Sequence, residues 1–116
     1  MTGLAKPVTW LFGLVFVVIG FLGFFMNPIL GLFEVNSLHN LVHIASGVIA
    51  LIAASMSVSA SRSYLMIFGI AYAIVTIAGF LNFAPVTDVL AINSADNWLH
   101  LLITVVFLVV GFGSNK

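Results

Sequence analysis

Residues 36–56 read NSLHNLVHIASGVIALIAASM. From Ser37 to Met56 no Lys, Arg, Asp or Glu interrupts the run. Its length, at ~1.5 Å of helix rise per residue, matches a hydrocarbon thickness of ~30 Å. Three further apolar stretches of similar length cover 8–26, 64–83 and 95–113. The chain is 63% hydrophobic and 5% charged, whereas roughly a quarter of residues are charged in soluble domains. These features predict an all-α, integral membrane four-helix bundle that fills residues 1–116 as a single transmembrane domain. The gaps between spans are too short to hold an extramembrane domain.

The six charges sort by gap. Lys6, Arg62 and Lys116 fall on one face of a four-span chain, and Glu34, Asp88 and Asp96 fall on the other. Cation excess marks the cytoplasmic side, which predicts a multi-pass protein of the cell (inner) membrane with both termini in the cytoplasm. Lys6 ahead of an apolar run resembles a signal peptide. The run from Trp10 to Met26 is long for one, however, and leads into Asn27-Pro28 without a small-residue cleavage site, so it is expected to stay as the first span. A net charge of zero with three scattered cations predicts lipid as the surroundings and excludes nucleic acid as a partner. The absence of cysteine removes disulfides, thiolate zinc sites and iron–sulfur clusters.

The chain also matches itself. A shift of 56 residues aligns Leu11 to Phe16 with Ile67 to Tyr72, and Gly23-Phe24 with Gly79-Phe80; one residue more aligns Asn36, Ser37, Asn40 and His43 with Asn93, Ser94, Asn97 and His100. The reading is an internal duplication of a two-span hairpin, with units about 8–56 and 64–113. An even number of spans per unit makes the repeats parallel and places equivalent residues at equal depth. Asn27-Pro28 and Ala84-Pro85 are expected to end spans one and three. Ser37 and Ser94 are candidate N-caps, with Asn36 and Asn93 one residue earlier as alternatives. The apolar outer loops, Pro28 to Asn36 and Pro85 to Asn93, are expected to lie in the interface as partial lids. Ser55 to Ser63 reads as a flexible connector.

Spacing i, i+4, i+7 puts Asn36, Asn40 and His43 on one helix face, and Asn93, Asn97 and His100 repeat it. Ser46, Gly47, Ala50, Thr104 and Gly111 continue the stripe, which predicts spans two and four as the inner pair. His39 and Asp96 are equivalent positions, close enough across the axis for an Asp–His hydrogen bond. Trp10, Trp98 and Tyr64 read as interface anchors, and Gly13, Gly20 and Gly23 as packing positions.

Several of these segments carry a resemblance: Leu32 to His43, Phe12-Gly13 with Gly20-Phe21-Leu22-Gly23, and Asn93 to His100. Together they resemble a family of small bacterial four-span membrane proteins known as a domain of unknown function, numbered four-three-eight-three. The resemblance covers nearly the whole chain. In that family each repeat's histidine is followed four residues later by glycine; Gly47 fits and Thr104 departs. The resemblance implies the fold and supplies no catalytic role.

Two functional readings follow from the stripe. In the first, Asn36, Asn40, His43, Asn93, Asn97 and His100 form an interhelical hydrogen-bond network, each bond contributing ~0.6 kcal/mol. The protein is then a structural or accessory member of a membrane assembly, as a homo-oligomer or in a larger complex, with no cofactor. In the second, ionisable groups at membrane depth mark a ligand or proton site. A transition metal at His39, His43, Asp96 and His100 ranks first, because two histidines at i, i+4 with a third imidazole and a carboxylate form an adequate ligand set. A b-type haem between His43 and His100 ranks second, and a lipid or quinone under the outer loops third. No nucleophile–base constellation, phosphate loop or metalloprotease motif occurs, so no enzymatic activity is expected.

Overall fold

The computed structural model describes residues 3–114. Lys116, one of the three cations of the charge pattern, lies outside them. Five helices follow in order: α1 (Ala5–Phe25), α2 (Ser37–Met56), α3 (Val58–Phe80), α4 (Ala84–Leu90) and α5 (Ser94–Gly113). Among the described residues α1, α2, α3 and α5 are each long and apolar enough to cross a bilayer, while α4 is a single short helix. The bundle is thus all-α, and its environment is lipid: Leu11, Leu14, Phe21, Ile67, Ile74 and Val109 point outward along its length. With hydrocarbon outside as well as inside, close packing and polar complementarity specify the fold more than burial does.

Helix ends follow from local chemistry. Asn36 and Asn93 take the N-cap positions rather than Ser37 and Ser94. Asn36 Oδ1 accepts from the His39 amide at 2.8 Å and Asn93 Oδ1 from the Asp96 amide at 2.9 Å. Asp96 completes a capping box, its Oδ2 accepting from the Asn93 amide at 3.0 Å. The connector expected over Ser55 to Ser63 contracts to Ser57. This residue is extended (φ −171°) and caps α3 through its Oγ on the Ala60 amide. Ser55 and Ser61 are absorbed into helix, where their hydroxyls are satisfied by the Ile52 and Ser57 carbonyls. Pro85 does not terminate α3, which has ended at Phe80; it sits in the first turn of α4, where a missing amide proton costs nothing.

The loop after α1 folds back into the bundle. The Asn27 side chain brackets the Val35 backbone, Nδ2 donating to the carbonyl at 2.9 Å and Oδ1 accepting from the amide at 3.2 Å. A tight reversal at Leu30 and Gly31, with φ of 54° and 73°, turns Ile29 toward Phe33. Ile29 and Val35 are left 2% and 3% exposed. This loop is a plug that buries its own apolar side chains against the bundle.

Helix α1 packs along α2 and α3 along α5, through the glycines. A Cβ on Gly13 would strike Leu51 and Ala50, one on Gly69 would strike Leu108, and one on Gly47 would meet the Gly13 carbonyl and Val17. The expectation that spans two and four form the close inner pair is corrected here. Helices α2 and α5 have no Cα pair within 8 Å among the described residues, whereas α1 and α3 do meet. The small residues Gly47, Ala50 and Gly111 serve the α1–α2 and α3–α5 contacts instead. The diagonal between α2 and α5 is therefore wide enough for large side chains, and histidines fill it.

Candidate metal centre

His39 and His43 project from successive turns of α2, and His100 projects from α5. All three are 2% exposed or less. Ring centroids are 4.4 Å apart for His39–His43, 5.5 Å for His39–His100 and 6.1 Å for His43–His100. One ring nitrogen from each lies within 4.8 Å of the others. No other group of three or more His, Cys, Asp or Glu is brought together so closely among the described residues.

None of the six ring nitrogens has a hydrogen-bond partner. The Leu90 backbone approaches the His39 ring without satisfying hydrogen-bond geometry. A buried donor or acceptor left unmade costs about 1–3 kcal/mol. A triad of such groups is thus a costly arrangement unless something joins them. A metal ion is one species that would join three neutral imidazoles at this spacing. Tetrahedral coordination at ~2.0–2.1 Å places ligand nitrogens roughly 3.3 Å apart, so modest ring rotations close the triangle.

The rings are held by aromatic neighbours. Phe16 of α1 stacks on His43 at 5.7 Å and on Tyr72 at 5.4 Å, and Tyr72 packs 5.6 Å from His100. Tyr72 Oη and Ser46 Oγ pair at 3.0 Å, and the Ser46 carbonyl accepts from Tyr64 Oη at 2.8 Å. Thr104 donates to the His100 carbonyl at 2.8 Å and pairs with Thr76 at 3.2 Å. Where the family pattern has glycine, Thr104 thereby ties α5 to α3. Tyr64, expected as an interface anchor, is buried and hydrogen-bonded here because its hydroxyl reaches a carbonyl of the neighbouring helix. Trp10 and Trp98 do face outward. Helical periodicity alone does not mark Phe16 and Tyr72 as site residues; their alignment with each other across the two units is the available signal.

The asparagines of the stripe separate by depth. Asn36 Nδ2 donates to the Val89 carbonyl at 2.7 Å and Asn93 Nδ2 to the Leu32 carbonyl at 2.9 Å, so each cap also ties its hairpin to the other's loop. One turn deeper, Asn40 and Asn97 press their side chains against Gly23 and Gly79, where any Cβ would collide with them. Their Oδ1 atoms have no hydrogen-bond partner.

Asp96 makes no hydrogen bond to His39, the pairing that equivalence of position suggested. Its Oδ2 is held by the capping box, and no Asp96–His39 hydrogen bond forms, since both His39 nitrogens and Asp96 Oδ1 lack partners. Helix capping claims one oxygen of the carboxylate.

Two cavities flank the cluster. One, of about 120 Å³, lies between α2 and α3 and is walled by His39, His43, His100, Tyr72, Phe68 and Leu90. Sites for drug-sized ligands occupy ~300–1,000 Å³, so this cavity is small for the porphyrin that the sequence reading ranked second. The residues do fit a single metal ion.

Comparison with known proteins agrees with the four-span reading. The family model described as Domain of unknown function (DUF4383) matches residues 6–113. This chain is a DUF4383 protein. No curated protein and no solved structure matches it. The matched segment of the DUF4383 domain includes all four long helices and the whole of the histidine cluster.

Proposed function

We propose that this DUF4383 protein binds a first-row transition-metal ion inside the membrane, with His39, His43 and His100 as its ligands. The observation that carries this reading is the convergence of three buried imidazoles whose nitrogens lack any other partner. Imidazole suits zinc, copper, iron and nickel. Three protein ligands leave a fourth position open, as in sites that exchange a ligand or pass the ion on. The role is binding; no catalytic step is assigned.

The structural reading keeps part of the stripe. Asn36 and Asn93 bridge the hairpins, which supports a scaffold role for these caps. Recurrence of the same contacts, with Asn40 on Gly23 and Asn97 on Gly79, supports a duplicated hairpin. The charge pattern supports an inner-membrane protein with cytoplasmic termini, which places the histidines nearer the outer leaflet.

Elemental analysis of the purified protein after incubation with Zn²⁺ or Co²⁺ tests the reading. A stoichiometric ion is expected in the wild type and none in His39→Asn/His43→Asn/His100→Asn, with both proteins helical by circular dichroism. A folded wild type that retains no ion, or a triple variant that retains as much, contradicts it.

A further inference from the structure

The second cavity, of about 100 Å³, lies on the other side of His43, under the loop that follows α1. Ile29, Phe33 and Val35 roof it, Val15 lines its flank, and His43 and Asp96 supply its polar wall. Asp96 is 1% exposed, and its Oδ1 has no hydrogen-bond partner. Half of this carboxylate is therefore spent on the capping box, and the other half is buried at the edge of a largely apolar pocket without a hydrogen-bond partner.

A buried carboxylate without a partner is far costlier than a neutral polar group and is normally paired or bound to metal. The helix N-terminus behind Asp96 carries about half a positive charge, which Oδ2 already engages. When Asp96 is ionised its full charge outweighs that half charge, so a cation in the pocket would offset it. At about 30 Å³ per water, the volume admits an ion with two or three waters. Glu34, exposed on the loop, is within electrostatic reach of Asp96. The three features fall in order from surface to interior: an exposed acid, a buried acid, then an imidazole shared with the histidine cluster.

We propose that Asp96 Oδ1 and His43 form a second cation site beneath the 27–35 loop, through which a divalent transition-metal ion passes between the loop face and the three-histidine centre. This inference rests on the metal-binding reading above and adds a route and a charge. A neutral three-imidazole set leaves a bound divalent ion uncompensated in a low-dielectric interior, and Asp96 is the buried anion adjoining it. His43 belongs to both sites, so transfer exchanges the carboxylate for two further imidazoles without releasing the ion to lipid.

The test follows Co²⁺ loading by its d–d absorption in nanodisc-reconstituted protein. Asp96→Asn keeps an oxygen to accept from the Asn93 amide, so the cap survives while the charge is lost. Wild type is expected to load at least about tenfold faster than Asp96→Asn, in line with electrostatic capture. Asp88→Asn, which removes an exposed acid of the same face, is expected to load like wild type. In His39→Asn/His100→Asn protein one weakly held ion is expected to remain, and adding Asp96→Asn should abolish it. Equal loading rates for wild type and Asp96→Asn, or residual binding indifferent to Asp96, overturn the second site. Failure of the three-histidine reading looks different: wild type would then hold Co²⁺ no more tightly than His39→Asn/His100→Asn. Uptake of no Co²⁺ by wild type overturns both. Should the double variant melt early by circular dichroism, the two loading rates decide alone.

Discussion

The two halves of this bundle treat polar atoms in opposite ways. Toward the termini and the α2–α3 junction the core is Phe107, Leu65, Ala50, Ala53, Val110 and Ala5. The buried hydroxyls there have partners: Thr9 donates to the Ala5 carbonyl, Ser61 to the Ser57 carbonyl and Tyr64 to the Ser46 carbonyl; among the described residues Arg62 Nε is the one buried polar atom of that half without one. Toward the loop face, three imidazoles, two asparagine carbonyls and one carboxylate oxygen are buried without partners. Both halves sit in one continuous bundle of the same four helices. Satisfied hydroxyls and dense aromatic packing are what a membrane bundle needs in order to stand. Unsatisfied nitrogens add nothing to that, and the proposed metal ion would account for their clustering.

The apolar half should be the more sensitive to truncation. Phe107 is fully buried and touches Phe12 edge-on at 5.1 Å, with Phe16 and Tyr64 beyond. Phe107→Ala leaves a void of roughly 100 Å³, which at ~24 cal/mol per Å³ costs about 2–3 kcal/mol. Reversible unfolding in mixed micelles measures it; a cost below 1 kcal/mol would mean that the two halves are equally loose.

The polar half should respond with the opposite sign. Replacing His39, His43 and His100 together by Leu removes buried groups that have no partner, and this is expected to leave the metal-free protein as stable as wild type or more stable, by about 1–2 kcal/mol. A loss of stability of that size would show that the imidazoles act as glue. The same substitutions should abolish the stabilisation that added Zn²⁺ confers on wild type.

The cross-ties at the rim should give the smallest effect. Asn36→Ala and Asn93→Ala each lose a cap, typically ~1 kcal/mol, and an interhelical bond of ~0.6 kcal/mol. Equal costs at the two positions are expected, since each makes one cap and one tie. A cost at one position only would break the symmetry between the hairpins.

Much of this molecule was legible in its sequence because the bilayer fixes what a span must look like. Hydrocarbon thickness dictated the four long helices, and helical periodicity placed His43 and His100 on facing sides. Asn36 and Asn93 were visible as caps but ranked behind the serines; the longer amide was needed because it also reaches the opposite loop. What stayed hidden depends on contacts distant in sequence. That Ser57 alone breaks α2 from α3 is decided by its Oγ on Ala60, against a run of small polar residues that reads as a linker. That α1 and α3, rather than α2 and α5, form the close diagonal depends on Phe16 stacking with Tyr72. Periodicity identifies which face is inward and says nothing about how far across the bundle it looks. Asp96 was read as a partner for His39 from equivalence of position alone, whereas its own helix N-terminus claims one of its oxygens.

The central claim is a metal held by three imidazoles within the membrane, and X-ray absorption at the metal edge of Zn²⁺- or Co²⁺-loaded wild-type protein addresses it most directly. Three histidine nitrogens at ~2.0–2.1 Å, with the multiple-scattering signature of imidazole rings and one lighter ligand, are predicted. A shell of oxygens with no imidazole scattering, unchanged in His39→Asn/His43→Asn/His100→Asn protein, would contradict it.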